Sequence, residues 1–239
     1  MISSHQSTAY TIINIARELD FNLKPNMKVL DFGCGEGHLV SVFKEMGYDA
    51  FGVDIYNAFD SEFFRLIETS PFKIPFEDNT FDLIFSTSVF EHTMNHEECL
   101  NEICRVLKPG GATLHLLPSR WYLPVEPHIY VPLANIFQSK IWLTFWALLG
   151  IRNEYQKGKT WKEVVSLNIE YCKTGIKYLS WKSYKEMAVS IFGNIKFAKK
   201  EYIKHADGGC AKLGRKVPIP GIHHIVFLFR ESVILMRKH

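Results

Sequence analysis

The run Val29-Leu30-Asp31-Phe32-Gly33-Cys34-Gly35-Glu36-Gly37-His38-Leu39 constrains the fold more than any other stretch of this chain. An apolar strand delivers an acidic residue, three glycines follow at alternate positions, and an apolar-periodic helix begins. Glycine tolerates φ > 0 and leaves the backbone bare, so a ligand can lie directly against the N–H groups of the turn and of the helix N-terminus. A strand–turn–helix of this kind is a turn for a nucleotide-type cofactor. Its spacing, G-x-G-x-G with an acid two positions before the first glycine, departs from the G-x-G-x-x-G of dinucleotide turns.

The rest of the chain continues the alternation. Residues 7–20 carry Ile12, Ile13, Ile15, Ala16 and Leu19 at helical spacing, and residues 28–32 read as the first strand. Leu39, Val40, Phe43 and Met46 share a helical face that Gly47 ends, and residues 49–54 form a second strand closing on Asp54. A helix is expected over 58–67, strands over 81–86 and 112–117, and an amphipathic helix over 96–106 that Lys108-Pro109-Gly110-Gly111 terminates. Strand–helix alternation over 28–117 implies right-handed crossovers and a parallel sheet. From 118 to 181 the rhythm breaks into an irregular segment rich in proline and aromatics, among them Trp121, Tyr122, Tyr130, Trp142, Trp146 and Trp161. Alternation resumes with a helix over 183–192 and strands over 195–203 and 232–236. The run 222–229 reads weakly as helix.

These elements predict an α/β fold, a doubly wound, Rossmann-like and mostly parallel seven-stranded sheet with an inserted aromatic-rich lid. The chain is 239 residues long and 47% hydrophobic, enough for one domain over 1–239 with 118–181 as the insertion. A formal net charge of +3 is close to balanced, and the lysines that thicken after position 152 read as a solvated face. Five scattered cysteines form no C-x-x-C pair, and no spacing of His, Cys, Asp or Glu demands a metal; the vicinal His223-His224 reads as packing. The N-terminal residues lack a charged region followed by an apolar one, and the apolar run over 141–151 is too short to span a bilayer. A soluble, cytoplasmic protein is therefore expected.

Further segments follow in order: Ile74-Pro75-Phe76-Glu77-Asp78-Asn79-Thr80-Phe81-Asp82-Leu83-Ile84, then Ser86-Thr87-Ser88-Val89-Phe90-Glu91-His92, then Arg105-Val106-Leu107-Lys108-Pro109-Gly110-Gly111. With the glycine turn and Asp54 they resemble, over residues 29–117, the class I S-adenosylmethionine-dependent methyltransferases of the small-molecule, Methyltransferase-11-like type. The resemblance implies S-adenosyl-L-methionine as cofactor and S-adenosyl-L-homocysteine as product. It places Asp31, Gly33, Cys34, Gly35 and Gly37 along the cofactor, Asp54 on its ribose hydroxyls, Ile55 on the adenine face and Ser86 near its methionine end. Relatives carry an aspartate six positions before the phenylalanine of the "L-P-F" segment; here Ser70 stands there, followed by Pro71, and an uncharged hydroxyl makes a weaker contact.

Methyl transfer from a sulfonium needs the nucleophile, methyl carbon and sulfur held in line, and a proton acceptor where the nucleophile is a hydroxyl. Two histidines lie where substrate should arrive: His92 after the fourth strand, and His128 beside Glu126 after the fifth. The reading is methyl transfer to an oxygen or nitrogen of a small-molecule acceptor, a metabolite, glycan precursor or lipid. The lid's aromatics argue for apolar pocket walls, and the 141–149 run raises peripheral lipid contact. Two alternatives stay open: a regulatory protein that binds the cofactor without catalysis, and a protein or nucleic-acid methyltransferase. Modest basic charge and the lack of a base-amino methylation motif argue against a nucleic-acid acceptor. The sequence leaves the oligomeric state open.

Overall fold

Strands whose side chains alternate between two apolar faces need helices on both, and the computed structural model supplies them. It describes residues 3–56, 61–216, 221, 224–225 and 231–238. The elements run α1 (Ser4–Glu18), β1 (Lys28–Phe32), α2 (His38–Glu45), β2 (Asp49–Asp54), β3 (Phe64–Leu66), β4 (Glu68–Thr69), β5 (Phe72–Lys73), β6 (Phe81–Thr87) and α3 (His96–Val106). They continue with β7 (Leu107–Pro118), α4 (Lys140–Leu148), α5 (Trp161–Thr174), α6 (Trp181–Phe192), β8 (Lys196–Phe197), α7 (Lys199–His205), α8 (Gly209–Lys216) and β9 (Glu231–Arg237). A 3-10 turn, Phe90–His92, joins β6 to α3.

The main sheet has seven strands in the order β3-β2-β1-β6-β7-β9-β8. Strands β3, β2, β1, β6 and β7 pair in parallel, and only β9 runs against both its neighbours. This is the expected doubly wound, mostly parallel α/β sheet. The chain order reverses between β1 and β6, and in open sheets of this kind ligands bind at the carboxyl ends of the strands beside such a switch.

The two-residue period sorts the core. Leu83, Phe85, Val233 and Leu235 face a cluster with Ile12 of α1 and Phe43 of α2. Their neighbours Ile84, Ile234 and Met236, with Leu30, face Leu100 and Ile103 of α3 and Tyr184 of α6. Among polar groups Ser86, Thr113 and His115 lie fully inside; Ser86 Oγ is 2.8 Å from His115 Nδ1 and Thr113 Oγ1 is 2.5 Å from Nε2. Burial pushes the His115 imidazole down to about 3, so it is a neutral tie between β6 and β7.

Three expectations for local structure give way. Of the helix expected over 58–67, residues 58–60 lie outside the described residues, and Phe64–Leu66 is the edge strand β3, paired to β2. Phe64 and Ile67 are buried with Arg65 and Leu66 exposed between them, a spacing of three that mimics a helix in so short a strand. The strand expected over 195–203 is confined to Lys196–Phe197; Ala198, Tyr202 and Ile203 then pack from helix α7. The 118–181 segment is not irregular, since α4 and α5 lie within it and share a core of their own around Leu143, Val164, Val165 and Cys172. Most of the 222–229 run, His223 included, lies outside the described residues.

One side chain fastens the sequence segments that singled out the chain. Arg105 donates to the carbonyls of Ile74 and Phe76 at 2.8 and 2.9 Å, to Asp78 at 2.8 Å and to both oxygens of Glu102 at 2.8 and 2.7 Å. Glu102 in turn accepts from Ile74 N at 2.9 Å. Only a planar fork can hold so many acceptors at once. Arg105→Ala should therefore lower unfolding free energy by about 2–3 kcal/mol, with Arg105→Lys recovering little, as measured by urea denaturation.

Candidate active site

The turn after β1 is held by backbone before any ligand arrives. Gly33 N and Cys34 N both donate to Val53 O, at 2.8 and 3.0 Å, and Gly37 N donates to Cys34 O at 2.9 Å. Gly33 sits at φ 78°, and a Cβ there would lie 2.3 Å from Val89 Cγ2. Gly35, at φ 50°, has nothing within 4 Å of such a Cβ, so its outer face is open. Its N–H donates to Asp54 Oδ2 at 2.9 Å, which fixes the acid at the end of β2 against the turn, while Tyr56 N donates to Oδ1 at 3.3 Å. Helix α2 starts on Gly37 with no side-chain cap, leaving its first N–H groups to the same space. Ile55 and Tyr56 beside Asp54 are exposed apolar surface.

Asp31 is 2% exposed, and its Oδ1 has no hydrogen-bond partner among the described residues. Burial, with Asp54 nearby, pushes its carboxyl up to about 8. Two other candidates turn inward. The Cys34 thiol lies against Gly52, where a Cβ would meet it at 2.6 Å, and burial raises it well above the usual thiol range. Ser86 commits its hydroxyl to His115 inside the sheet. Ser70 and Pro71 occupy the exposed turn of the β4–β5 hairpin.

Past Val89, the 3-10 turn brings Glu91 and His92 to the loop that holds His128. The His92 and His128 rings meet edge to face, centroids 4.7 Å apart at 80°. Glu126, fully buried, organises that loop. Its Oε1 accepts from His128 Nδ1 at 2.6 Å and from Tyr178 Oη at 3.0 Å, and its Oε2 accepts from the His128 and Ile129 N–H groups, both at 2.8 Å. Burial alone would raise its carboxyl; the hydrogen bonds and charge of His128 outweigh that and hold it low. Conversely, burial would lower His128, but the hydrogen bond and charge of Glu126 raise it. His92 gives its Nδ1 to Gly175 O at 2.8 Å and is lowered, mainly by burial. His128 also walls a cavity of about 600 Å³, with Tyr130, Tyr155, Lys159, Leu167 and Tyr171.

The histidines were legible in the sequence; Glu91, Tyr171 and Tyr178 were not singled out there. Glu91 could have been found from its place beside His92 just past a buried strand. The tyrosines come from α5 and the loop after it, and no local pattern points to them.

A family model described as a methyltransferase domain matches residues 30–114. Residues 30–114 form a class I methyltransferase domain. A sterol 24-C-methyltransferase of Gibberella zeae is 33% identical over 106 residues, covering 38% of this chain and 28% of that protein. A demethylmenaquinone methyltransferase of Staphylococcus aureus is 29% identical over 123 residues, covering 46% and 51%. The chain thus spans about half or less of the length of these relatives. Among solved structures, Haemonchus contortus phosphoethanolamine N-methyltransferase 2 with S-adenosyl-L-methionine superposes with TM-score 0.51 at 16% identity, covering 99% of this chain and 57% of that one. The plantazolicin methyltransferase BpumL with its S-adenosylhomocysteine gives TM-score 0.53 at 14% identity, covering 98% and 84%; both likenesses are of fold.

The cofactor of the methyltransferase domain is S-adenosyl-L-methionine, and the turn's chemistry fits it. A ligand with ammonium and sulfonium charge matches the orphaned Asp31 oxygen, and the open face of Gly35 admits a ligand against backbone. Without a cation Asp31 costs stability. Below about pH 4 the acid is neutral in folded and unfolded chains alike. As pH rises towards 8 the unfolded chain ionises first, so stability falls. Asp31→Asn should therefore raise stability by about 1–3 kcal/mol at pH 8 and by nothing at pH 3, in thermal melts of the ligand-free protein, while removing S-adenosyl-L-methionine binding.

Proposed function

We propose that this chain transfers a methyl group from S-adenosyl-L-methionine to an oxygen or nitrogen of a small-molecule acceptor bound in the cavity beside His128. The carrying observation is His128, which stands in the cavity wall, held from behind by Glu126, and meets His92, three residues beyond the Val89 that packs on the cofactor turn. Bound at the turn, S-adenosyl-L-methionine supplies a methyl on a good leaving group. Asp31 answers its positive charge, Asp54 offers carboxylate oxygens to ribose hydroxyls, the backbone over Gly33–Gly37 lines its length, and Ile55 covers a flat ring. Ser70 and Pro71 close that end from the hairpin.

Glu126 keeps His128 in one tautomer, with the proton on Nδ1, so Nε2 carries the lone pair. That nitrogen handles the acceptor's proton, with His92 beside it. The cavity's tyrosines and Leu167 suit an apolar or aromatic acceptor body, and Lys159 suits an anionic group on it. The helical segment within 118–181 acts as the lid that carries these contacts.

One observation favours an acceptor dissolved in lipid. Ile141, Phe145 and Leu148 of α4 are exposed, and named relatives methylate sterol and menaquinone precursors. Among the described residues no helix is long and apolar enough to cross a membrane, so such access would be peripheral. All five cysteines are free, which supports a reducing, cytoplasmic setting.

Calorimetry should give saturable binding of S-adenosyl-L-methionine and S-adenosyl-L-homocysteine and none of NAD. Asp54→Ala should weaken both by about tenfold, the worth of one or two hydrogen bonds. His128→Ala should lower turnover by about 10²–10⁴ with cofactor affinity unchanged. Equal loss of both would make His128 a structural residue.

A further inference from the structure

Among the described residues, Glu91, His92 and His128 form the group of three whose ligating atoms converge, all within 4.8 Å of one another. We infer that these three side chains bind a divalent transition-metal ion of the zinc, cobalt or nickel class, at the edge of the cavity that His128 walls.

The orientation of the imidazoles carries the inference. His128 Nδ1 is 2.6 Å from Glu126 Oε1, and His92 Nδ1 is 2.8 Å from Gly175 O. Each ring therefore donates from Nδ1 to a fixed acceptor and leaves the lone pair on Nε2. Metal-ligating histidines are held in this way, by a carboxylate or a backbone carbonyl behind the ring. The Glu126 carboxylate is itself fixed by Ile129 N and Tyr178 Oη, so the support extends one layer further back. The rings come from separate parts of the chain, yet lie 4.7 Å apart at 80°, with the buried Glu91 adjacent in sequence to one of them.

Ligand chemistry selects the ion. Two imidazoles and one carboxylate suit zinc and its neighbours, whereas calcium and magnesium take oxygen alone. Bonds of about 2.0–2.2 Å to a shared ion bring ligand atoms to roughly 3.4 Å apart. Drawing the three atoms together from up to 4.8 Å to roughly 3.4 Å completes the site, and of the three residues His92 is the exposed one. Three protein ligands leave coordination positions open, as in catalytic rather than structural sites. On the reading of the cavity as the acceptor site, which this inference presupposes, a hydroxyl oxygen of the acceptor would fill one of them, and the ion, holding the His128 Nε2 lone pair, would then take over from that nitrogen by acidifying the hydroxyl.

The test uses the full chain without a histidine tag, stripped by chelator, then titrated with Zn²⁺ by calorimetry and with Co²⁺ by visible absorption. One equivalent should bind and produce a visible cobalt band. His92→Ala and His128→Ala should each weaken binding by about a hundredfold or more, and Glu126→Gln by about ten- to a hundredfold. The exposed His92 can be changed without disturbing the core, and circular dichroism checks the fold of each variant. No stoichiometric binding, or binding that survives both histidine changes, overturns the site. S-adenosyl-L-methionine affinity, measured separately on the stripped chain, distinguishes the failures. If it persists without metal binding, only this inference falls; if it is absent while metal binds, the methyl-transfer reading falls.

Discussion

Gly33 and Val89 approach so closely that only a hydrogen fits between them, and the geometry of the site follows from that contact. A Cβ at Gly33 would lie 2.3 Å from the valine methyl. The turn leaving β1 and the chain leaving β6 are thereby pressed together where the sheet order reverses. Val89 O then accepts from His92 N at 2.9 Å, which winds the chain into the 3-10 turn and sets the direction of Glu91 and His92. The cofactor turn and the histidine pair are two ends of one packed surface, joined by a residue with no chemistry of its own.

Two buried carboxyls show how much the neighbourhood decides. Glu126 is fully enclosed, yet four donors reach it, and it stays ionised and orients His128. Asp31 is almost as enclosed, with an orphaned oxygen and Asp54 close by, and its proton is retained up to about pH 8. The first is a finished structural device. The second is a carboxyl without such donors among the described residues, and burial favours its neutral form. Their difference is one of donors supplied, since burial is nearly equal.

The α4–α5 segment has a different physical basis from the sheet. Its aromatics read as pocket walls in the sequence, and several do reach the cavity, Tyr130, Tyr155 and Tyr171 among them. Trp142 and Trp146 instead pack with Ile129, Leu143 and Ile176 in a small core. Composition cannot separate these uses, because an aromatic ring buries equally well against a helix or a ligand. The same ambiguity explains β3 and α7. Phe64 and Ile67 carry a helical interval in an edge strand, and Ala198 to Ile203 follow an apolar run that only the hydrogen bonds to β9 divide into strand and helix.

The sequence by itself determined the elements whose rules are local. Glycine torsions set the turn at 33–37, short apolar runs set strands β1, β6 and β9, and the Arg105 segment marked the end of α3. It named His92 and His128 from their places after strands, and Asp54 from its place at the end of one. Only the tertiary structure decided that Tyr178 reaches Glu126 behind His128, that Gly175 stands behind His92, and that the two rings meet. It also withdrew the Ser86 hydroxyl and the Cys34 thiol into the interior. The reason is separation along the chain. A torsion or a period is written within a few residues, whereas Gly175 lies 83 residues from His92, Tyr178 lies 52 from Glu126 and His115 lies 29 from Ser86, and such contacts exist only once the sheet has closed between them.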